Sequence, residues 1–132
     1  MRTIIKTLLV IFVAGTAFAG GSGEATATST ELDLTDPQVL KDVVEDQELD
    51  YLLVDVRTPQ EYSGGHIPTA INVDYRQVDE GLADVDRDQL VIVYCRSGNR
   101  SGQAFTTLES MGFTNLVDFG GINRWEGELA YP

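Results

Sequence analysis

The chain has 132 residues and a mass of 14.4 kDa, which suits one domain of ordinary size and is too little for two. Its 21 acidic and 9 basic residues give a formal net charge of −12, which disfavours nucleic acids and anionic lipids as partners. A hydrophobic fraction of 42% is typical of a globular chain. The single cysteine and single histidine exclude an intramolecular disulfide and a zinc site built from such residues.

The first 19 residues have the features of a secretory signal peptide. Arg2 and Lys6 give a positive start, residues 8–14 are an unbroken apolar run, and Ala17–Ala19 has the small-x-small form that signal peptidase cleaves. The apolar run is well short of the roughly 20 residues that a membrane-spanning helix needs. We therefore expect cleavage after residue 19 and export to the periplasm or the medium without a stable membrane anchor, an uncleaved anchor being the alternative.

Residues 20–30, GGSGEATATST, are small or polar, which is typical of a flexible leader. We expect the folded domain to occupy residues 31–132. Apolar segments and polar, periodic segments alternate along it, and this order predicts an α/β fold with a sheet that is largely buried on both faces.

The first predicted elements are a strand and a helix. Residues 31–34 form a candidate first strand. Thr35 or Asp36 can cap a helix that starts near Pro37 and ends near Asp46. The apolar face of that helix consists of Val39, Leu40, Val43 and Val44.

The next segments predict two strands with a capped helical turn between them. Residues 51–56, YLLVDV, form a buried strand. The segment 58–61, TPQE, has the signature of a capping box with proline at the first helical position. Residues 70–73 form a further short strand.

The clearest strand is 90–94, LVIVY, whose β-branched and aromatic residues suit the centre of a parallel sheet. The polar loop 95–100, CRSGNR, follows at once. Apolar spacing over 101–111 predicts a helix that ends at Gly112, and 115–119 form the last strand.

Cys95 lies where parallel sheets bind ligands, directly after a central strand and before a helix. A helix that starts there directs its free N–H groups and the positive end of its dipole toward the ligand. Gly98 and two arginines allow the loop to curl its amides around the sulfur and add positive charge. We expect a lowered pKa for Cys95 and a nucleophilic thiolate, in preference to a buried structural cysteine.

Three separated stretches of the chain resemble the rhodanese-like sulfurtransferases. They are LLVDVRTPQEYSGGHIPTAIN at 52–72, VIVYCRSGNRS at 91–101 and LVDFGGINRW at 116–125. The resemblance is to the small, exported, single-domain branch of the family. It implies an α/β fold with about five strands in a mainly parallel sheet flanked by helices. It also implies that Cys95 accepts a sulfane sulfur as a persulfide. Thr69 is a departure, because the family usually has glycine there.

The catalytic candidate is Cys95, and the rest of the loop is the candidate substrate site: Arg96, Ser97, Gly98, Asn99 and Arg100. Arg96 either is solvated or guides an anion to the sulfur. We expect Arg100 to hold the loop open through a carboxylate. Asp55 is the candidate supporting residue, because its place after a strand allows it to orient Arg100 or another loop group.

Three further residues of the family-like stretch are expected to be structural. Arg57, Glu61 and His66 suit a scaffold of ion pairs and hydrogen bonds beside the catalytic strand. No metal, nucleotide or flavin motif is present. Sulfur transfer requires no such cofactor.

The leading hypothesis is a thiosulfate sulfurtransferase. The Cys95 thiolate would attack the outer sulfur of a donor such as thiosulfate and pass that sulfur to cyanide or a thiol. The expected partners are therefore small molecules. One alternative is a persulfide carrier or sulfur-binding module without meaningful turnover. The other is a Cys-dependent phosphatase or arsenate reductase, whose similar loops generally have one more residue between cysteine and arginine.

Overall fold

The computed structural model describes most of the chain after residue 31. The described residues are Ile11–Phe12, Ser29–Thr30, 32–46 and 48–132. By its contacts the chain divides into one unit at residues 1–33 and a second unit at residues 34–132.

The described part of the first unit is one pair of short strands. Strand β1 (Ile11–Phe12) pairs antiparallel with β2 (Ser29–Thr30). The rest of the predicted signal peptide and leader lies outside the described residues, so cleavage after Ala19 stays a prediction.

The second unit is a parallel sheet flanked by helices, which confirms the predicted fold class. Its strands are β3 (Leu52–Asp55), β4 (Ile71–Asn72), β5 (Val91–Cys95) and β6 (Leu116–Gly121). Its helices are α1 (Pro37–Asp46), α2 (Pro59–Ser63), α3 (Val78–Gly81) and α4 (Asn99–Ser110), with 3₁₀ turns at Tyr75–Gln77 and Ile122–Arg124. The strand order is β4-β3-β5-β6 and every pairing is parallel.

The core is built around β5, in which all five residues are buried. This is the burial expected of the LVIVY segment, because helices cover both faces of a central parallel strand. An apolar cluster joins β3, β5, α3, α4 and the residues that directly follow them, and it contains Val54, Val56, Val78, Leu82, Val91, Val93, Cys95, Ala104, Leu108 and Phe113. The sulfur therefore lies at the point where this core meets the loop after β5.

The register between β5 and β6 changes beside the loop. Val93 pairs with Asp118, but Tyr94 pairs with Gly120 and Cys95 with Gly121. Phe119 is the extra residue on β6, so the strand has a bulge there. The bulge places two glycines opposite the end of β5.

The predicted first strand at 31–34 is wrong for the residues that the structure describes. Residues 32–34 form no strand, Glu31 lies outside the described residues, and the sheet has four described strands. Instead, Leu34 is buried in a turn that leads into α1. The carboxylate of Asp36 accepts from the backbone N–H of Gln38 at 2.9 Å, so the turn that leads to this helix cap begins at the last residue of the predicted strand.

The other predicted elements are present with small shifts at their ends. Helix α1 has the predicted limits, and α2 starts with the predicted capping box between Thr58 and Glu61. Helix α4 begins at Asn99, two residues earlier than predicted, because Gly98 turns the loop directly into the helix at φ 103°. Among the described residues, no helix is long and apolar enough to cross a membrane.

Thr69 adopts a conformation that suits the glycine usual in the family. Its φ is 74°, the only positive value among the described residues other than glycine. A β-branched side chain is strained in this left-handed region. The hydroxyl of Thr69 lies 2.9 Å from that of Tyr51, and this hydrogen bond offsets part of the strain.

We predict that Thr69→Gly stabilises a domain that already carries Tyr51→Phe, a background in which the hydrogen bond between the two hydroxyls is absent. In a Tyr51→Phe background, relief of backbone strain exceeds the extra freedom of glycine in the unfolded chain, and the unfolding free energy rises by about 1 kcal/mol. Urea denaturation of the single and double variants measures the difference. A loss of stability in the double variant would show that the left-handed threonine is not strained.

Candidate active site

Cys95 is the last residue of β5, and α4 begins four residues later at Asn99. The short loop between them therefore surrounds the sulfur at the carboxyl edge of the sheet. Cys95 is buried, whereas Arg96 and Ser97 are exposed. The sequence prediction placed the cysteine at this edge, and the structure shows the sulfur beneath the loop.

Two groups of the loop and helix contact the sulfur directly. The backbone N–H of Gly98 donates to Sγ at 2.9 Å, and the hydroxyl oxygen of Ser101 lies 3.6 Å from Sγ. The Ser101 hydroxyl is also placed to donate to the carbonyl oxygen of Gly98 at 3.0 Å. Ser101 thus bridges the sulfur and the loop backbone in the first turn of α4.

The pKa of Cys95 lies below the ordinary thiol value. Burial of the sulfur opposes ionisation, but hydrogen bonds from the Ser101 side chain and from the amides of Ser101, Gly98 and Ser97 outweigh it. The direction matches the sequence prediction. The largest stabilising contributions come from amides and a hydroxyl. The guanidinium of Arg100 also interacts with the Cys95 thiolate through charge.

Arg100 is fixed by Glu61, which is 39 residues away in the chain. The two terminal nitrogens of Arg100 donate to the two carboxylate oxygens of Glu61 at 2.7 and 3.0 Å. Glu61 also accepts from the Thr58 hydroxyl at 3.1 Å. The pKa of Glu61 falls to about 2, chiefly because of the hydrogen bonds from Arg100. The ion pair therefore ties the start of α4 to the start of α2.

The candidate role of Asp55 as the partner of Arg100 is wrong. The carboxylate of Asp55 is engaged by Arg57, whose Nη2 donates to Oδ2 at 2.6 Å. It also accepts from the Tyr94 hydroxyl at 3.0 Å, because Asp55 and Tyr94 are paired neighbours on β3 and β5. Asp55 joins two strand ends and has no oxygen left over for the loop arginine.

Tyr94 and Arg57 extend this buried network. Burial and the neighbouring Asp55 carboxylate raise the pKa of Tyr94, so its hydroxyl stays protonated and accepts from the backbone N–H of Ile67 at 3.0 Å. Arg57 donates to the carbonyl oxygen of Gly65 at 2.8 Å. The network holds the segment 65–67 against the sheet.

His66 is held by structural contacts. Its ring stacks on Tyr62 with centroids 3.7 Å apart, and Nδ1 lies 3.1 Å from the Tyr62 carbonyl oxygen. Its backbone pairs with Ala130 in an antiparallel bridge. These contacts agree with the expected structural role.

Two residues of this site were not among the sequence-based site candidates. Ser101 directly follows Arg100, and a hydroxyl in the first turn of the helix after a cysteine loop was a usable signal for a sulfur contact. Glu61 was assigned to the scaffold, and its capping-box position predicted only a local contact with Thr58. Its second contact with Arg100 depends on how the two helix starts meet.

A family model for the rhodanese-like domain matches residues 36–128. The chain belongs to the rhodanese-like domain family. Its similarity to known rhodanese-like proteins extends to named enzymes. The thiosulfate sulfurtransferase PspE of Escherichia coli K12 is 39% identical over 81 residues, which cover 60% of this chain and 74% of that protein. The thiosulfate:glutathione sulfurtransferase of Saccharomyces cerevisiae is 35% identical over 100 residues, which cover 65% of this chain and 72% of that protein.

Solved rhodanese structures share the fold. A rhodanese from E. coli with bound anions has a TM-score of 0.57 and 32% identity, covering 62% of this chain and 99% of that chain. A rhodanese-like domain protein from Staphylococcus aureus has a TM-score of 0.63 and 27% identity, covering 73% of this chain and 94% of that chain. Because relatives at 35–39% identity are named sulfurtransferases, the protein is a rhodanese-like enzyme of the sulfurtransferase class.

We predict that Glu61→Gln weakens the domain in a pH-dependent manner. Glutamine retains the capping interaction with Thr58 but removes the charge that holds Arg100, so the unfolding free energy at pH 7 falls by about 1 kcal/mol. The Glu61 carboxylate has a depressed pKa in the fold, so its contribution is complete above the pKa of an unfolded glutamate and is lost as pH falls toward 2. The stability difference between parent and variant should shrink over that window.

Chemical denaturation at a series of pH values measures this difference. Glu45→Gln is the matched control, because the Glu45 side chain is 63% exposed and lies 3.9 Å from Lys41. It should leave stability unchanged within about 0.5 kcal/mol. An equal loss in both variants, or a Glu61→Gln loss that does not depend on pH, would contradict the assignment.

Proposed function

We propose that Cys95 is the catalytic nucleophile of this sulfurtransferase, which moves a sulfane sulfur from a donor such as thiosulfate to cyanide or a thiol acceptor. The observation that carries the proposal is the 2.9 Å hydrogen bond from the Gly98 amide to Sγ. Together with the other loop amides it lowers the pKa of Cys95, which raises the thiolate fraction at neutral pH.

The reaction consists of two displacements at sulfur. The Cys95 thiolate attacks the outer sulfur of thiosulfate, an S–S bond forms to Sγ, and the S–S bond of the donor breaks as sulfite leaves with its electron pair. The acceptor thiolate or cyanide then attacks the outer sulfur of the persulfide. The Cys95 thiolate is released, and no net oxidant or reductant is consumed.

The loop suits the charged intermediate as well as the thiolate. The outer persulfide sulfur extends about 2 Å beyond Sγ, and backbone amides of a loop at a helix start stabilise negative charge there. Exposed Arg96 is placed to guide an anionic donor, while Ser97 and Asn99 form the exposed rim. The named activities of the E. coli and yeast relatives support thiosulfate as donor and a thiol as acceptor.

The geometry weighs against the phosphatase or arsenate reductase alternative. Only four residues separate Cys95 from Arg100, and both terminal nitrogens of Arg100 are held by Glu61. These two bonds direct the guanidinium toward Glu61, so Arg100 serves to hold the loop. A persulfide carrier would use the same Cys95 chemistry and would differ from the enzyme only in lacking rapid turnover.

Small molecules are the proposed donor and acceptor, and nucleic acid is not a proposed partner because the chain is strongly acidic. We extend the proposal to location: the first 19 residues direct export, and the folded domain acts in the periplasm or outside the cell without a membrane anchor. The positive start, short apolar run and small-residue cleavage sequence support export.

We predict that thiosulfate adds one sulfur to the protein and that cyanide removes it as thiocyanate. Intact-mass spectrometry detects the adduct, and Cys95→Ser is expected to abolish it because Cys95 is the sole cysteine. Repeated turnover with thiosulfate and cyanide distinguishes an enzyme from a carrier. Sulfur transfer by Cys95→Ser at the parent rate would overturn the mechanism. Efficient hydrolysis of an aryl phosphate by the parent would favour the phosphatase class.

We predict that the mature protein begins at Gly20 and is found outside the cytoplasm of a bacterial host. Intact mass and cell fractionation measure both properties. Ala19→Leu replaces a small residue at the cleavage site and should leave the precursor uncut, whereas Ala25→Leu, beyond the site, should be processed normally. Cytoplasmic protein that retains its first 19 residues would contradict export.

A further inference from the structure

Strand β6 lies directly behind the Cys95 loop. The bulge at Phe119 pairs Gly121 with Cys95, and a Cβ built on Gly98 would lie 3.6 Å from Cα of Gly120. The Ser101 hydroxyl also lies 3.4 Å from the carbonyl oxygen of Gly120. The loop and the first turn of α4 therefore rest against the last two residues of this strand.

Gly121 has no room for a side chain on the side that faces the loop. A Cβ there would lie 2.7 Å from the Arg96 carbonyl oxygen and 3.1 Å from Cα of Ser97, and it would also overlap Oδ1 of Asn123. Rotation of a side chain can relieve the contact with Asn123. The other two contacts are with backbone, so they can be relieved only if the loop moves away from β6.

Backbone conformation does not explain the glycine at position 121. Gly121 has φ −99° and ψ 144°, an extended conformation that any residue adopts. Its neighbour Gly120 has φ 93° and needs glycine to form the bulge. The absence of a side chain at Gly121 thus serves the close approach of the loop.

We propose that Gly121 is a positioning residue, which lets the loop approach β6 closely enough for the Ser97, Gly98 and Ser101 amides to surround the sulfur of Cys95. The Arg96 carbonyl and Ser97 Cα belong to the residues that immediately precede the Gly98 amide. Any displacement at these atoms is passed along the backbone to the donor that lies 2.9 Å from Sγ. The inference rests on the proposed role of Cys95 as nucleophile and adds the residue that sets its environment.

Gly121→Ala tests the proposal through ionisation of the thiol. Titration of the ultraviolet absorbance of the thiolate measures the pKa of Cys95, with the same protein carrying Cys95→Ser as blank. The Gly121→Ala variant should titrate about one pH unit higher than the parent, which corresponds to an approximately tenfold smaller thiolate fraction at pH values below both midpoints. The rate of sulfur loading should recover as pH rises through the new midpoint.

Two further variants separate positioning from general damage. Gly112→Ala introduces a side chain at φ 98° with no atom within 4 Å of its Cβ, so it should lower stability and leave the Cys95 titration unchanged. Gly121→Ala combined with Asn123→Ala removes the contact with the Asn123 side chain but keeps those with the loop backbone. The higher midpoint should persist in this double variant, which also supplies the measurement if Gly121→Ala alone does not fold.

A Cys95 midpoint equal to that of the parent in folded Gly121→Ala would overturn the proposal. So would return of the midpoint to the parent value when Asn123→Ala is added, since the loop backbone would then not be the affected part. The titration does not depend on sulfur transfer. If Gly121→Ala shifts the Cys95 midpoint but the parent forms no persulfide with thiosulfate, the positioning role stands and the proposed function is wrong.

Discussion

The hydrogen bond from the Gly98 amide to the sulfur of Cys95 is the contact on which the functional part of the structure depends. Cys95 belongs to the apolar core, and burial alone would keep its thiol protonated. Amide donors reverse this effect only if the loop holds them within hydrogen-bond distance. The core fixes the position of the sulfur, and the loop supplies the hydrogen-bond donors that the core lacks.

Two separate carboxylates hold the strand ends and the helix starts around this contact. Asp55 joins β3 to β5 through Tyr94 and stays within the sheet. Glu61 joins α2 to α4 through Arg100. Each carboxylate serves one connection: Asp55 is engaged by Arg57 and Tyr94, and Glu61 by Arg100 and Thr58. This division of roles pairs Arg57 and Arg100 with carboxylates and leaves the sulfur in contact mainly with neutral donors.

Local signals in the sequence predicted the catalytic strand, its loop and most of the elements around them. The LVIVY and CRSGNR segments were enough to place Cys95, because a buried strand followed by a glycine-containing loop and a helix is a local pattern. The partner of Arg100 was not predictable in this way. Asp55 ends the strand that Glu61 follows, so both carboxylates were candidates, and Arg57 engages Asp55. The assignment of 31–34 as a strand failed because Leu34 already belongs to the turn that leads to the helix cap at Asp36. The approach of Gly121 to the loop depends on the bulge at Phe119, which no local pattern reveals.

One oxygen of Glu61 accepts from both the Thr58 hydroxyl and Arg100. A replacement at any of these three positions therefore disturbs a helix cap and an active-site loop at once. During evolution, a substitution at one of these positions is therefore constrained by the residues at the other two. Accepted changes at 58, 61 and 100 are expected to arise together. The residues at these three positions should therefore covary among homologues.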